Sequence, residues 1–205
     1  MEVVKDIQDT KERILVAARE LFIENGYNGT SIRDIASASE ANVAHVNYYF
    51  QSKYNLFEII FDEAFEVLIK RVFSIVRSDM PFFDLIEEWI NAYYEILIEY
   101  PQIPIFILNE INHGSEGLME RIQQRNPLQI FTQLSKRIEE EVIKGTIKET
   151  PTIDFGLNVL SLCVFPFMFE KLATKVANKT KAEYNEVLEQ HKKYVIEFVI
   201  NALKP

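Results

Sequence analysis

Apolar side chains recur every three or four positions along most of the chain, and this spacing is typical of amphipathic helices. The first such stripe consists of Ile14, Leu15, Ala18, Leu21 and Phe22. Asp9 and Glu12 have the spacing of a capping box, which predicts where this helix begins. Asn25-Gly26 predicts its end, because glycine readily adopts the left-handed backbone that terminates helices. No segment shows the alternation typical of a strand, so we predict an all-α fold of about nine helices.

The segment 30–57 predicts two short helices around a turn, followed by a long helix. Thr30 or Ser31 can cap the first short helix, and Asn42 can cap the second. In the second short helix the apolar inward positions are Ala41, Val46 and Phe50, and the outward positions are Val43, His45, Asn47 and Tyr48. The outward face thus carries hydrogen-bonding and aromatic groups in place of a solubilising mix of charges. Such a helix suits the major groove of DNA.

A long fourth helix is predicted to begin after Ser52 and to carry its apolar stripe to Val76. Because this helix starts in the N-terminal segment and ends beyond it, it joins a three-helix head (residues 1–53) to a larger body (residues 54–205). Turn residues and renewed apolar stripes predict further helices at about 81–99, 105–112, 115–124, 127–144, 152–169 and 180–203.

The amino-acid composition indicates a globular protein and argues against a secreted or membrane-spanning one. The 205 residues are 48% hydrophobic and 26% charged, which is typical of a globular domain. The single cysteine, Cys163, excludes an internal disulfide and favours a reducing compartment, and the charged N-terminus lacks the apolar core of a signal peptide. The longest uncharged run, residues 155–169, is interrupted by Pro166 and is shorter than the roughly 20 residues that span a bilayer. We therefore predict a cytoplasmic protein with no membrane partner, and a buried helix in this run.

The charge balance argues against a broad cationic surface, which most nucleic-acid-binding proteins carry. The net charge is −9. Residues 1–57 hold six basic and eight acidic groups, a balance of −2, and the remaining 16 basic and 23 acidic groups give −7. The head is therefore less acidic than the body without being basic. Its affinity for DNA would have to come from a few positioned phosphate and base contacts.

The first quarter of the chain resembles the TetR family of bacterial transcription regulators. The matching segments are 14–15, 17–18, 21–22, 26–27, 30–36, 46–50, 52–53 and 56–57. The resemblance implies a homodimer in which two helix-turn-helix heads bind a palindromic operator in double-stranded DNA. It also implies a repressor that is released by a small, largely apolar effector bound in the body. No cofactor and no metal are expected.

The resemblance assigns roles to individual residues. The DNA-binding set is Thr30, Ser31, Arg33, Asn42, Val43, Ala44, His45, Asn47, Tyr48 and Lys53. Within it, Thr30 and Ser31 match positions that contact a phosphate from a helix N-terminus, and Lys53 matches a phosphate-binding lysine. Three positions depart from the family pattern. Glu40 stands where a turn glycine is common, Gln51 stands where a basic residue is common, and the start of the recognition helix lacks the usual Gly-Thr.

For the body the resemblance implies a ligand pocket between helices four to eight. The last two helices carry more apolar surface than one small body needs to bury, so we predict that they form a four-helix dimer interface. The pocket candidates are Phe61, Phe65, Trp89, Tyr93, Phe106, Asn109, His113 and Phe165. The interface candidates are Phe167, Tyr184, Leu188, His191, Val195 and Phe198. An ordinary hydrophobic core would explain most of these aromatic residues equally well, and a solvated helix end would explain Asn109 and His113.

Two other classes of function were considered. An enzyme is not expected, because the sequence shows no nucleophile with a neighbouring base, no glycine-rich phosphate loop and no cluster of His, Asp and Glu. Glu110 and His113 alone are a weak indication of a metal site. Cys163 lies in an apolar helix, so we predict a buried small hydrophobe. The acidic head leaves open a protein-interaction module of DNA-binding ancestry.

Overall fold

The computed structural model describes residues 2–101, 103–112, 120, 123–124 and 127–205. Within these ranges the chain is helical and contains no strand, which confirms the all-α prediction. The helices of the described residues are α1 (Glu2–Gly29), α2 (Ile32–Ala38), α3 (Val43–Phe50), α4 (Lys53–Arg77), α5 (Phe82–Glu99), α6 (Ile103–Asn112), α7 (Pro127–Ile143), α8 (Thr152–Ala177) and α9 (Lys181–Leu203). The short helix predicted at 115–124 falls largely outside the described residues.

The chain divides into two compact units, Met1–Phe65 and Glu66–Pro205. The division lies inside α4, further along the chain than the predicted boundary between residues 53 and 54. The head as a folded unit therefore includes the first half of α4, whose side chains Leu56, Phe57 and Ile60 are buried. A sequence boundary placed at the start of a helix cannot reveal how many of its turns pack against the preceding helices.

In the first unit α1, α2 and α3 pack around a small apolar core. Its most deeply buried side chains are Ile14, Ala18, Phe22, Ile35, Val46, Phe50 and Leu56. Gly26 has φ 72°, in the region that favours glycine, and it ends the regular part of α1 as predicted. The capping box predicted at Asp9 is wrong. The helix begins at Glu2, and Asp9 lies inside it, where its carboxylate pairs with Arg13 at 3.1 Å.

Side-chain caps fix the starts of α2, α3 and α4. Ser31 and Asp34 form a reciprocal capping box at the start of α2. The Asn42 side chain accepts a hydrogen bond of 2.7 Å from the backbone N–H of His45 at the start of α3. Ser52 accepts one of 3.0 Å from Asn55 at the start of α4. Each cap satisfies a backbone donor that the first helical turn leaves unpaired.

In the second unit α5 is the central helix. It is buried on almost every side, and it packs against α8 and α9. Trp89 meets Phe155 of α8 with ring centroids 6.2 Å apart, and Tyr94 meets Phe167 of the same helix at 5.6 Å. At the start of α9, Thr180 and Glu183 form the predicted capping box.

Helix α8 is apolar on two opposite faces. Phe155, Val159, Cys163 and Phe167 are buried at intervals of four residues, whereas Leu157, Phe165, Phe169 and Leu172 are exposed. Pro166 does not end the helix, which continues to Ala177. The predicted buried helix is therefore buried on one face only. Among the described residues α8 alone has the length and composition to cross a membrane, which is a weak indication because core helices meet the same criterion.

Candidate nucleic-acid interface

The outward face of α3 is exposed as the sequence predicts. Tyr48 is 78% exposed and Val43 39%, and Ala44, His45 and Asn47 are exposed beside them. The opposite face is held inside by the buried side chains of Val46 and Phe50. A helix of only two turns thus has one side anchored in the core and the other side available to a partner.

Aromatic contacts organise this face. Tyr48 and Tyr49 pack edge to face with ring centroids 5.1 Å apart, and Tyr49 also approaches His45 at 6.4 Å. Tyr49 is half-buried and Phe50 is buried, so these two residues support the face from behind. Tyr48 is the aromatic group that reaches furthest into solvent.

The start of α2 offers a second group of exposed polar atoms. Ser31 and Arg33 are exposed, and the Ser31 hydroxyl accepts a hydrogen bond of 3.2 Å from the backbone N–H of Asp34. The Asp34 carboxylate in turn accepts a hydrogen bond of 2.8 Å from the backbone N–H of Ser31. Hydrogen bonding to Ser31 holds the pKa of Asp34 below its ordinary value. The first turn of α2 is therefore rigidly built.

Two residues of the predicted DNA-binding set have internal roles. The Thr30 side chain is only 2% exposed, and its hydroxyl bonds to the carbonyls of Leu21 and Gly26 at 3.0 Å each. The predicted phosphate contact of Thr30 is wrong, because a buried hydroxyl cannot reach DNA. The Lys53 ammonium donates to the carbonyls of Tyr27 and Thr30 at 2.9 and 3.0 Å. It also lies 4.0 Å from the centre of the Tyr27 ring.

The departures from the family pattern coincide with unusual backbone. Glu40, in the turn between α2 and α3, has φ 53°, and Gln51, between α3 and α4, has φ 63°. Residues other than glycine seldom adopt a positive φ, because their Cβ atom then crowds the backbone. The turn before Glu40 is held by Ser39, whose buried hydroxyl donates to the Ile35 carbonyl at 2.7 Å. After Gln51 the Ser52 N–H returns to the Phe50 carbonyl at 2.7 Å.

The residues predicted to line the ligand pocket differ in their burial and in the unit to which they belong. Trp89 is buried and Tyr93 is half-buried on the central helix α5. In the first unit Phe61 and Phe65 are buried and stacked on each other at 5.5 Å. The prediction that Phe165 lines the pocket is wrong, because this side chain is 60% exposed on the outer face of α8. The side chains of Phe106 and Asn109, the whole of His113 and the side chain of Glu110 lie outside the described residues.

The interior of the second unit holds several polar groups in apolar surroundings. Burial raises the pKa of the Tyr93 hydroxyl to about 12 and that of the Cys163 thiol to about 12. The Tyr94 hydroxyl is buried without a hydrogen-bond partner, and burial raises its pKa as well. Cys163 is fully buried and unpaired, which confirms the predicted small hydrophobe.

A separate open cleft of about 570 Å³ lies between the end of α4, the α4–α5 connection and α7. Its lining is polar, unlike the predicted apolar pocket. Arg137 spans it, with its guanidinium donating to the carbonyls of Ser78 and Met80 at 2.6 Å each. These two bonds tie α7 to the segment that follows α4.

The prediction of the dimer interface is wrong for four of its six residues. Phe167, Tyr184, Leu188 and Val195 are buried in the core of their own unit. His191 is half-buried, and Phe198 is 64% exposed. The reason is that α8 and α9 pack against each other and against α5 through one apolar face each, and their other faces remain outside. The apolar residues that are exposed on these helices are Ile153, Leu157, Leu160, Phe165, Phe169, Leu172, Val176, Val187, Tyr194 and Phe198.

A sequence profile described as bacterial regulatory proteins of the tetR family matches residues 14–60, from the buried Ile14 of α1 to Ile60 of α4. Residues 14–60 are therefore a TetR-family DNA-binding domain. With this domain the chain is a DNA-binding transcription regulator, as the resemblance of its first quarter predicted.

Relatives of this chain are also regulators. It is 26% identical over 175 residues to the probable HTH-type transcriptional regulator YttP of Bacillus subtilis, covering 82% of this chain and 81% of YttP. It is 25% identical over 137 residues to IcaR of Staphylococcus aureus, a negative regulator of the biofilm operon icaADBC, covering 66% and 73%. Its fold is similar to that of FadR from Bacillus subtilis, solved in complex with stearoyl-CoA, with a TM-score of 0.63, 17% identity and coverage of 94% and 99%.

These relatives are transcriptional regulators and not enzymes. Within the part of the chain that the structure describes, no group of three or more His, Cys, Asp and Glu side chains is placed to hold a metal ion.

Proposed function

We propose that this protein is a cytoplasmic, homodimeric repressor that binds a palindromic operator and is released by a small, largely apolar molecule. The observation that carries the proposal is the outward face of α3, which is exposed along its length and bears His45, Asn47 and Tyr48. A face with donors, acceptors and an aromatic tip can form specific contacts with base edges and phosphates.

Within this face each side chain suits a different contact. Asn47 can pair through two hydrogen bonds with adenine, and Val43 can meet a thymine methyl group. Tyr48, the most exposed, suits the sugar–phosphate backbone. Ser31 and Arg33 would contact phosphates from the start of α2, with Asn42 and Ala44 close to the DNA at the start of α3. Thr30 and Lys53 would support the surface from beneath.

The homodimer would form through the outer faces of α8 and α9. Leu157 and Phe165 of α8, with Val187, Tyr194 and Phe198 of α9, are apolar and exposed. An apolar area of this extent favours association with a second copy, and a self-complementary surface gives a twofold dimer. Two recognition helices can then meet half-sites about 34–36 Å apart on one duplex. IcaR, a relative that acts negatively, makes repression the expected direction.

The effector would act through α5. Its buried aromatic side chains, Trp89 among them, offer an apolar environment, and FadR of the same fold holds stearoyl-CoA. Arg71 of α4 pairs with Glu95 of α5 at 3.0 Å, and Arg137 of α7 donates to the carbonyls of Ser78 and Met80 in the segment that follows α4. A ligand that displaces α5 would therefore also displace α4. A coupling of about 1–3 kcal/mol would weaken operator binding roughly 5–150-fold.

The DNA-binding half of the proposal is tested by the double variant His45→Ala/Asn47→Ala. An electrophoretic shift with the promoter region next to the protein's own gene should be lost, because base contacts of about 1–3 kcal/mol each disappear. The dimer should persist in size-exclusion chromatography. Glu20→Ala, an exposed change elsewhere on the head, is the matched control and should leave the shift intact. An unaffected shift in the double variant would contradict the proposed face.

The effector half is tested separately with stearoyl-CoA as the first probe. Trp89 is the single tryptophan and is buried, so its fluorescence reports a ligand that enters the body. A bound probe should also weaken binding of the dimer to operator in isothermal titration. If apolar probes change the Trp89 emission without changing operator affinity, the pocket exists but the release mechanism is wrong.

A further inference from the structure

The basic side chains of the first unit are unequally available to DNA. Arg13 is paired with Asp9 at 3.1 Å, and Arg19 is paired with Glu63. The Lys53 ammonium uses two of its donors on backbone carbonyls. These three cations are already engaged inside the protein, and each would have to give up an interaction in order to bind a phosphate.

Two cations remain. Between residues 9 and 65, Lys11 and Arg33 are the lysine and arginine whose side chains make no ion pair or hydrogen bond within the chain, and both are exposed. Arg33 belongs to the predicted DNA-binding set, whereas Lys11 was missed. An exposed lysine near the start of α1 carries no distinguishing signal in the sequence.

The position of Lys11 relative to α3 makes it relevant. Its ammonium lies 6.0 Å from the centre of the Phe50 ring, and Phe50 is the last residue of the recognition helix. Phe50 is itself buried, so it fixes the C-terminal end of α3 against α1. A recognition helix in the major groove has sugar–phosphate backbone on both sides, and a cation beside its end is within reach of that backbone.

We propose that Lys11 is a phosphate contact of this regulator and that, with Arg33, it supplies most of the side-chain charge by which the head is held on DNA. The proposal explains how a head whose residues 1–57 carry a net charge of −2 binds a polyanion. Acidic side chains that could cancel a cation are in part already occupied, as Asp9 is by Arg13 and Asp34 by the Ser31 cap. The two free cations therefore act without a neutralising partner.

The proposal predicts how strongly the affinity for DNA depends on salt concentration. Each neutralised phosphate contributes about −0.9 to the slope of log affinity against log salt concentration. Lys11 and Arg33 from both copies of the proposed dimer would make four side-chain contacts and a slope of about −3.6. That slope is shallow for a repressor, and it follows from the engagement of the other cations.

The test compares Lys11→Gln with Arg13→Gln, two charge-neutralising changes on the same helix. Affinity for a mixed-sequence duplex of about 30 base pairs, long enough for two half-sites, is measured by fluorescence anisotropy. The salt concentration is varied from about 50 to about 200 mM. Lys11→Gln should reduce the slope by about 1.8 for the dimer. Arg13→Gln should leave the slope unchanged, and Lys11→Arg should restore it.

A slope that is the same in Lys11→Gln as in the unmodified protein would overturn the proposal. So would an equal reduction in both glutamine variants, because the effect would then follow overall charge and not position. Thermal unfolding of each variant separates a packing role from a DNA role. If the Lys11 ammonium acted only on the Phe50 ring, Lys11→Gln would lower the unfolding temperature and leave the slope intact, which is also a refutation.

Discussion

The helices α3 and α8 differ in what their exposed faces reveal. On α3 the buried face is apolar and the exposed face carries His45, Asn47 and Tyr48, so burial follows from the sequence pattern. On α8 both faces are apolar, and packing alone decides that Phe167 is inside and Phe165 outside. A contrast between two faces identifies a functional surface, whereas two similar faces leave the inward one undetermined.

The same difference extends to the ends of the helices. The caps of the head are local, and Ser31, Asn42 and Ser52 each satisfy a backbone donor three residues ahead. The body depends on contacts that are remote in the chain, such as Arg137 with the carbonyl of Ser78. Local interactions can be anticipated from spacing, and remote ones cannot.

The largest effect is expected from a pair of substitutions on α9. Leu188 is 1% exposed, so Leu188→Ala should lower the free energy of unfolding by about 2–5 kcal/mol in urea denaturation. Phe198→Glu, on the outer face, should leave the free energy of unfolding of the monomer nearly unchanged and dissociate the dimer in sedimentation-velocity experiments. If Phe198→Glu stayed dimeric and Leu188→Ala dissociated without loss of stability, our assignment of the inner and outer faces of α9 would be reversed.

A smaller effect is expected in the turn of the head. Glu40 has φ 53°, a conformation that costs a residue with a Cβ about 1–2 kcal/mol. Glu40→Gly should therefore raise the free energy of unfolding by up to about 1 kcal/mol, after the greater chain entropy of glycine is subtracted. Thermal denaturation measures this change in the free energy of unfolding. Ser37→Gly, inside α2, is the matched control and should destabilise, since glycine there only adds chain entropy to the unfolded state.

The smallest effect concerns His191, which lies beside Tyr94 with ring centroids 6.4 Å apart. Burial lowers the pKa of His191 below its ordinary value of 6.5. The unfolded chain therefore binds the proton more readily, and the contribution of His191 to stability is full above pH 6.5 and is lost as the pH falls through its folded pKa. His191→Gln should lose less stability between about pH 7 and pH 5 than the unmodified protein. Equal losses in both proteins would show that His191 titrates as a solvated group.

Much of the site follows from residue chemistry and spacing. The exposed face of α3, the Asn42 cap and the end of α1 at Gly26 were all anticipated, because each depends on residues within one or two turns. The placement of Thr30 and Lys53 was not. Both resemble available hydrogen-bonding groups in the sequence, and only the folded structure shows that backbone carbonyls of α1, and for Lys53 also that of Thr30, already accept their hydrogen bonds.

Helix type, helix order and the recognition surface were therefore encoded locally, in apolar periodicity, capping residues and the contrast between two faces of a short helix. Packing in three dimensions settled which apolar face of α8 and of α9 is buried, and which cations between residues 9 and 65 make no ion pair or hydrogen bond. The physical reason is that burial and ion pairing depend on atoms brought together from distant parts of the chain. Lys11 illustrates this, because its neighbour Phe50 is remote in sequence and only the fold places its charge at the end of the recognition helix.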